Sequence, residues 1–164
     1  MRPDIAPGAT FPDYELPDQD RITRRLSEIQ GDDPLILTLA RGHFCPKEHQ
    51  QHLQLAAFYP QIAVAYTQIV TISTDDHHTS QESRASVGAE WPFLRPGAHG
   101  PAGFRYPGPH RPRARPDDPA PLVFKAGLVV HSIYDGYWFW GRPSVDDLRR
   151  DLREVTREIR PAGT

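Results

Sequence analysis

Two short stretches in the first half of the chain are rich in apolar residues and have the length of strands. One run, Leu35 to Leu39, lies between Pro34 and Gly42, and the second stretch extends from Gln68 to Thr74. Runs of this length between chain-breaking residues are typical of strands that are buried on both faces of a sheet. We therefore predict two central strands.

Helical patterns follow each of these strands. A helix is predicted to begin at Pro46, because proline is favoured at the first helical position, where its missing N–H would be unpaired anyway. Pro60 should kink this helix or restart it. The polar segment 75–91 is expected to form a second helix, capped by Thr79 or Ser80. The apolar stripe of the first helix is predicted to contain Leu53, Ala56, Ala57 and Phe58.

The end of the chain has the clearest pattern. Strands are predicted at 122–125 and 128–133, with turns at Ala126-Gly127 and Asp135-Gly136. A closing helix should begin at a capping box formed by Ser144 and Asp147. Its apolar residues recur at spacings of three and four and are Val145, Leu148, Leu152, Val155 and Ile159. Together these elements predict an α/β fold in which helices flank a sheet of mixed direction.

Length and charge narrow the classes of function. A chain of 164 residues suits one domain, and we assign residues 1–164 to it. The net charge of -2 provides no basic field for nucleic acid or anionic lipid. No run of about 18 apolar residues or secretion signal is present, so we expect a cytoplasmic protein with no membrane or nucleic-acid partner.

Residues 95–121 differ from the rest of the chain. They contain eight prolines, four glycines and five arginines, and no Val, Ile, Leu or Met. Such a composition predicts an irregular or disordered loop. A one-base shift of reading frame can convert residues 114–120 to His-Asp-Pro-Met-Ile-Pro-His, so we also consider the hypothesis that this stretch is an out-of-frame product.

The chain has one cysteine, Cys45, within the segment "RGHFCPKE". A cysteine directly before a helix lies near unpaired N–H groups and the positive end of the helix dipole, which favour the thiolate form. Arg41, His43 and Lys47 lie within a few residues and would favour the thiolate further. The alternative is an inert, buried cysteine at the end of a strand.

The same segment resembles the active-site segment of thioredoxin-fold redoxins, in particular the peroxiredoxin and alkyl hydroperoxide reductase-like (AhpC/TSA) family. "CPKE" is similar to the Cys-Pro-x-Glu of peroxiredoxins, and "RGHFCP" is similar to the Arg-Gly-x-Trp-Cys-Pro of the peroxiredoxin-like branch. "VTISTDDHHTSQESRA" resembles the strand and loop that follow. The resemblance covers residues 8–94 and 122–160, and it implies a three-layer thioredoxin-like fold.

The resemblance also implies an activity. Cys45 would be the peroxidatic cysteine, which attacks a peroxide and becomes a sulfenic acid. Arg41 and His43 would tune the thiol, and Glu48 would orient the site or shuttle protons. Gly42 and Pro46 would line the pocket. No cofactor or metal is implied.

Three departures from the family pattern stand out. Glu48 replaces the second cysteine of a thioredoxin, so turnover needs an external thiol reductant or, in a homodimer, the partner subunit's Cys45. Gly42 stands where peroxiredoxins carry a threonine. The family carries an arginine later in the chain that helps to hold the thiolate and the peroxide, and Arg84 is our candidate for it. Our first candidate for the cis-proline that faces the thiol is Pro119, and our second is Pro121.

Two other interpretations remain open. Cys45, His49 and His52 have spacings of four and three, which would place three metal ligands on one helix face. A thioredoxin-fold binding or scaffold protein without turnover is the second alternative. The aromatic cluster Tyr134, Tyr137, Trp138, Phe139 and Trp140 would then supply part of a partner or dimer surface.

Overall fold

The computed structural model describes residues 5–40, 42–96, 119–135 and 142–159. Its strands are β1 (Glu15–Pro17), β2 (Thr23–Arg25), β3 (Leu35–Ala40), β4 (Gln68–Ser73), β5 (Phe93–Leu94), β6 (Pro119–Lys125) and β7 (Val129–Asp135). Its helices are α1 (Leu26–Gln30), α2 (Pro46–Ala63), α3 (His77–Ser86) and α4 (Val145–Ile159), with one 3₁₀ turn at Ala126–Leu128.

Five strands form a mixed sheet in the order β5-β4-β3-β6-β7. Strands β3, β4 and β5 are parallel, whereas β6 is antiparallel to both β3 and β7. Strands β1 and β2 form a separate antiparallel pair. The predicted mixed α/β architecture is confirmed.

Apolar side chains fill the space on both faces of the sheet. Successive residues of a strand point to opposite faces, and β3 shows this clearly: Leu35 and Leu37 pack into one core cluster, and Ile36 packs into the other. The first cluster includes Leu26 of α1 and side chains of the N-terminal segment. Helices α2 and α4 pack on the second cluster, so the sheet is the middle of three layers.

The two central strands and the closing hairpin are confirmed. However, β6 begins at Pro119, within the stretch 95–121 that was predicted to be an irregular loop, and β7 extends to Asp135, which was predicted to lie in a turn. The predicted turn at Ala126-Gly127 is the 3₁₀ turn, in which Gly127 has a φ of 74°. The capping box of α4 is also present: the Ser144 N–H donates to Asp147 Oδ2 at 3.0 Å, and the Asp147 N–H donates to Ser144 Oγ at 3.1 Å.

The prediction for α2 needs two corrections. The helix neither restarts at Pro60 nor continues into residues 64–66, because it runs unbroken from Pro46 and ends at Ala63. Leu53 and Ala57 are exposed rather than part of the buried stripe. The buried face instead consists of Glu48, His52, Leu55, Phe58 and Ile62. Because Glu48 and His52 on this face are polar, the buried face of α2 does not appear as a periodic apolar pattern in the sequence.

Helix α3 is capped by a different residue from those predicted. The Asp76 carboxylate accepts a hydrogen bond from the Thr79 N–H at 2.8 Å, so Asp76, not Thr79 or Ser80, is the N-cap. The short elements β1, β2, α1 and β5 have two to five residues each. They are too short to show a periodic pattern, so none of them was predicted from the sequence.

Several predictions fall outside the described residues: those for Arg41, for Gly136 in the second turn, for four of the clustered aromatic residues (137–140) and for residues 97–118 of the Pro-rich stretch. No cis peptide bond occurs among the described residues. The bond that joins Ala120 to Pro121 is therefore trans, whereas the bond before Pro119 includes an undescribed residue. Within the described ranges, no helix combines the length and apolar character needed to cross a membrane.

The capping box provides a test of how α4 is held in place. Replacement Ser144→Ala removes the hydroxyl that accepts from the Asp147 N–H, and we expect a loss of about 1 kcal/mol in the free energy of unfolding. Urea denaturation measures it. Ser86→Ala is the control, because that exposed hydroxyl donates to the Ser83 carbonyl within its own helix and its loss should change stability little. An equal effect of the two replacements would contradict the assigned cap.

Candidate active site

Cys45 is the N-cap residue of α2, directly after the loop that follows β3. Its carbonyl accepts from the N–H groups of Glu48 at 3.1 Å and His49 at 3.2 Å, and its own N–H donates to the Gly42 carbonyl at 3.2 Å. The residue is half-buried, and Pro46 follows at the first helical position. The predicted placement of the cysteine at the start of a helix is confirmed.

A carboxylate from the neighbouring strand holds the loop before Cys45. Asp75 lies just after β4, and its Oδ2 accepts from the His43 N–H at 2.8 Å. The His43 ring nitrogen Nδ1 lies 3.1 Å from Asp75 Oδ1. Ser73 Oγ donates to the same carboxylate at 3.0 Å. Asp75 therefore connects the loop after β4 to the loop that leads into the cysteine.

The close approach of Asp75 explains the glycine at position 42. Gly42 has a φ of 131°, which side-chain-bearing residues rarely adopt. A Cβ atom there would lie 2.8 Å from Asp75 Oδ1 and 2.8 Å from the Phe44 ring. The position that carries threonine in typical peroxiredoxins therefore has no room for a side chain in this loop.

Glu48 is buried under the same loop. Its Oε2 accepts from the Gly42 N–H at 3.3 Å, and its Oε1 lies 3.7 Å from Nη2 of Arg142. The Arg142 guanidinium also donates to the side chain of Gln51. Because Arg142 lies just before α4, this pair connects the start of α2 to the C-terminal part of the fold.

Deeper in the site, His52 lies among hydroxyl groups of the central strands. Its Nε2 is 3.3 Å from Thr71 Oγ1 and 3.5 Å from Thr38 Oγ1, and the two hydroxyls are 2.7 Å apart. Trp91 donates to Thr71 Oγ1 at 3.0 Å. Burial, with smaller effects from the charges of Arg142 and His49, lowers the pKa of His52 to about 4. The ring is therefore neutral near pH 7.

These groups surround a small polar cleft. Its volume of about 10 Å³ is roughly the space that one water molecule needs. The residues that line it are Ala40, Gly42, His43, Glu48, His49, His52, Ser73, Asp75, Ser83 and Phe93. Three histidines and two carboxylates thus share one cleft beside the helix that Cys45 begins.

The structure separates some predicted residues from this group. Arg84 donates from Nε to the Trp91 carbonyl at 2.9 Å, which joins the end of α3 to the segment before β5. Tyr134 packs against the second core cluster, and its hydroxyl donates to Asp151, so this member of the aromatic cluster is used in internal packing. Neither Arg84 nor Tyr134 lines the cleft.

The helical Cys-His metal site is not formed. Among the described residues, the three side chains Cys45, His49 and His52 do not form a group with metal-ligand spacing. The Nε2 atom of His52 faces the threonine hydroxyls of β3 and β4 instead.

Two residues of the site, Asp75 and Arg142, were not predicted from the sequence, and His52 was predicted only as a ligand of the helical metal site. Asp75 carried a usable signal, because the ends of two parallel strands meet at one edge of a sheet and Asp75 follows the second strand. Arg142 and the contacts of His52 with the threonine hydroxyls carried no such signal. Their positions depend on how α4 and α2 pack, and no local pattern reveals this.

A thiol at the start of a helix, directly after a central strand of a mixed sheet, is the arrangement expected of a thioredoxin-like redox protein. The sequence model of the AhpC/TSA family matches residues 7–95, which is more than half of the chain. The protein therefore belongs to this family. The resemblance seen in the sequence is confirmed. A comparison with curated protein sequences gave no match.

Solved structures with the same fold include several peroxiredoxins. The crystal structure of peroxidoxin BcpB from Mycobacterium tuberculosis is 19% identical with a TM-score of 0.66, and the match covers 96% of this chain and 98% of that one. The yeast mitochondrial 1-Cys peroxiredoxin is 13% identical with a TM-score of 0.70, covering 94% and 78%. The bacterioferritin comigratory protein of Xanthomonas campestris is 12% identical with a TM-score of 0.63, covering 90% and 92%. At these identities the likeness shows a shared thioredoxin-like fold.

Replacement Gly42→Ala tests the packing of the loop against Asp75. The new methyl group would meet Asp75 and Phe44 and would require an unfavourable φ, so we expect a loss of about 2–4 kcal/mol in the free energy of unfolding. Chemical denaturation measures it. Gly88→Ala is the matched control: it has a φ of 64° and nothing within 4 Å of an added Cβ. It should lose only about 1–2 kcal/mol, and equal losses would show that Asp75 does not confine Gly42.

The buried His52 should make stability depend on pH. The unfolded chain binds a proton at His52 near pH 6.5, whereas the folded chain does so only near pH 4. The free energy of unfolding is therefore greatest above pH 6.5, and the part that is linked to His52, about 3 kcal/mol, is lost as the pH falls toward 4. Unfolding free energies measured across this range should show this loss in wild type and in the control His78→Gln, which removes an exposed histidine of α3. His52→Gln should lack it; an unchanged pH dependence would contradict a neutral, buried His52.

Proposed function

We propose that the protein is a one-cysteine peroxidase that reduces hydroperoxides through Cys45. The Cys45 thiolate attacks one peroxide oxygen, the O–O bond breaks, and the products are a Cys45 sulfenic acid and an alcohol or water. The departing oxygen takes up the proton that the thiol released. The observation that carries this proposal is the half-buried thiol at the N-cap of α2, in a chain of the AhpC/TSA family.

Glu48 and Arg142 act in this proposal as positioning residues. Glu48 binds the Gly42 N–H and lies beside the Arg142 guanidinium, so the pair fixes the loop and the first turn of α2 relative to each other. Arg142 also brings a positive charge to the end of the helix where Cys45 lies. Arg84, the residue predicted to be the later arginine of the family, has no part in this proposal, because its Nε donates to the Trp91 carbonyl and it does not line the cleft.

His43 is placed by Asp75 on the solvent side of the site. Its side chain is 60% exposed and remains bound to the carboxylate. In this position it can exchange protons with solvent near the departing peroxide oxygen. Arg41 keeps its sequence-based role of tuning the thiol.

Reduction of the sulfenic acid needs a second thiol, and the chain has only one cysteine. An external thiol attacks the Cys45 sulfenic acid, forms a mixed disulfide and releases water, and a further thiol restores Cys45. In a homodimer, the partner subunit's Cys45 is the alternative second thiol.

Peroxide consumption with a panel of thiol reductants tests the proposal. Wild type should consume peroxide and form a trappable sulfenic acid, whereas Cys45→Ser should show only the background rate. Replacement Arg142→Gln should lower kcat/KM about tenfold to a hundredfold, because the first turn of α2 loses its anchor.

Arg149→Gln is the matched control for Arg142. Arg149 also donates to a glutamine of α2, but to Gln61, near the other end of the helix. It should keep wild-type kcat/KM. Peroxidase activity that persists in Cys45→Ser would disprove the assignment of the nucleophile, and equal losses in both arginine variants would disprove the special role of Arg142.

A further inference from the structure

A second cluster of metal-ligating side chains lies two strands away from β3, on the strand and helix that close the fold. His131 of β7 and Asp151 and Glu154 of α4 each offer a ligand atom, and these three atoms lie within 4.8 Å of one another. The cluster lies outside the cleft at the start of α2. Nothing in the proposed peroxidase reaction uses it.

A β-bulge brings His131 to this cluster. Val123 pairs with Ser132 while the next residue, Phe124, pairs with Val130, so His131 is an extra residue in β7. In a regular strand His131 and Ser132 would point to opposite faces. Here both face α4: His131 Nε2 lies 3.5 Å from Glu154 Oε2, and Ser132 Oγ donates to Asp151. Bulges redirect side chains in this way and are frequent next to functional sites.

Asp151 is a buried carboxylate with little charge compensation. Its side chain is 8% exposed, and hydroxyl groups of Ser132 and Tyr134 donate to its Oδ2. Within the described part of the chain, the cation within ion-pair distance is Arg150, with Nε 4.0 Å from Oδ1. Burying a carboxylate charge is costly unless a cation lies close to it.

Neighbouring cations are engaged elsewhere. The Arg150 guanidinium binds Asp147 at 2.9 Å, and Lys125 pairs with Glu158. Meanwhile Glu154 lies three residues after Asp151, so both carboxylates project from one side of the helix. The cluster thus presents two negative charges and one imidazole to a shared space, with hydroxyl donors that hold one carboxylate in a fixed orientation.

We propose that His131, Asp151 and Glu154 form a binding site for a divalent transition-metal ion such as Zn²⁺. The imidazole Nε2 and one oxygen from each carboxylate would donate lone pairs, and water would complete the coordination shell. The two carboxylates balance the charge of the ion, and the imidazole favours transition metals over Mg²⁺ or Ca²⁺. The hydroxyls of Ser132 and Tyr134 would serve as the outer shell that orients Asp151. The bound ion would join α4 to β7.

Calorimetric titration of the tag-free protein with Zn²⁺ tests the site. Wild type should bind one ion, and His131→Gln, Asp151→Asn and Glu154→Gln should each weaken binding at least about tenfold. The ion should also raise the Tm of wild type and lose that effect in the variants. If Asp151→Asn fails to fold, as judged by circular dichroism, the zinc affinities of His131→Gln and Glu154→Gln decide whether the site exists.

Two controls separate this site from other zinc ligands on the chain. His78→Gln removes a histidine that is also 3.5 Å from a carboxylate, that of Glu82, but has no third ligand among the residues that the structure describes. Cys45→Ser removes the thiol. Both should keep wild-type affinity, and the Co²⁺-loaded protein should show no thiolate charge-transfer band.

The proposal is overturned if wild type binds no Zn²⁺ at millimolar concentration. It is also overturned if His131→Gln binds as tightly as His78→Gln, or if Cys45→Ser alone abolishes binding. Because the readouts are affinity and Tm, they are independent of whether the protein reduces peroxides.

Discussion

The hydrogen bond from the His43 N–H to the Asp75 carboxylate connects the two loops on which the candidate site depends. Strands β3 and β4 are parallel and pair in register from Leu35 with Gln68 to Ala40 with Ser73, so both loops leave the sheet at the same edge. Without a link, two adjacent loops at a sheet edge would move independently. Asp75 fixes one against the other and thereby sets where the backbone turns into α2.

This link also limits which residues the loop can contain. With Asp75 in place, position 42 has no room for a side chain, and its N–H points to Glu48. Typical peroxiredoxins place a threonine there, three residues before the cysteine. In this protein Gly42 lies in a turn that is held by carboxylates on two sides, Asp75 and Glu48, and Arg142 lies beside Glu48.

The sequence predicted the parts of the fold that depend on local patterns. Buried apolar runs marked β3 and β4, and Ser144 with Asp147 marked the start of α4, because strand burial and helix capping involve neighbours along the chain. The positions of Cys45 and Pro46 followed from the same local rules. By contrast, the buried face of α2 was misplaced, since Glu48 and His52 replace two apolar residues there and face partners from other elements. Asp75, Arg142 and the bulge at His131 depend on strand pairing and helix packing, which no short window of sequence contains.

Helix α4 lies against both α2, the helix that Cys45 begins, and strand β7. Its apolar face, with Leu148, Leu152 and Val155, packs on the same core cluster as Leu55 and Phe58 of α2. The capping box fixes where α4 begins, at Val145, three positions after Arg142. The start of the helix thus determines how far the Arg142 guanidinium reaches toward Glu48. The polar side of the same helix carries Asp151 and Glu154 against β7. Because one helix lies against both regions, an ion bound between α4 and β7, as proposed, would also restrain the segment that carries Arg142 beside Glu48.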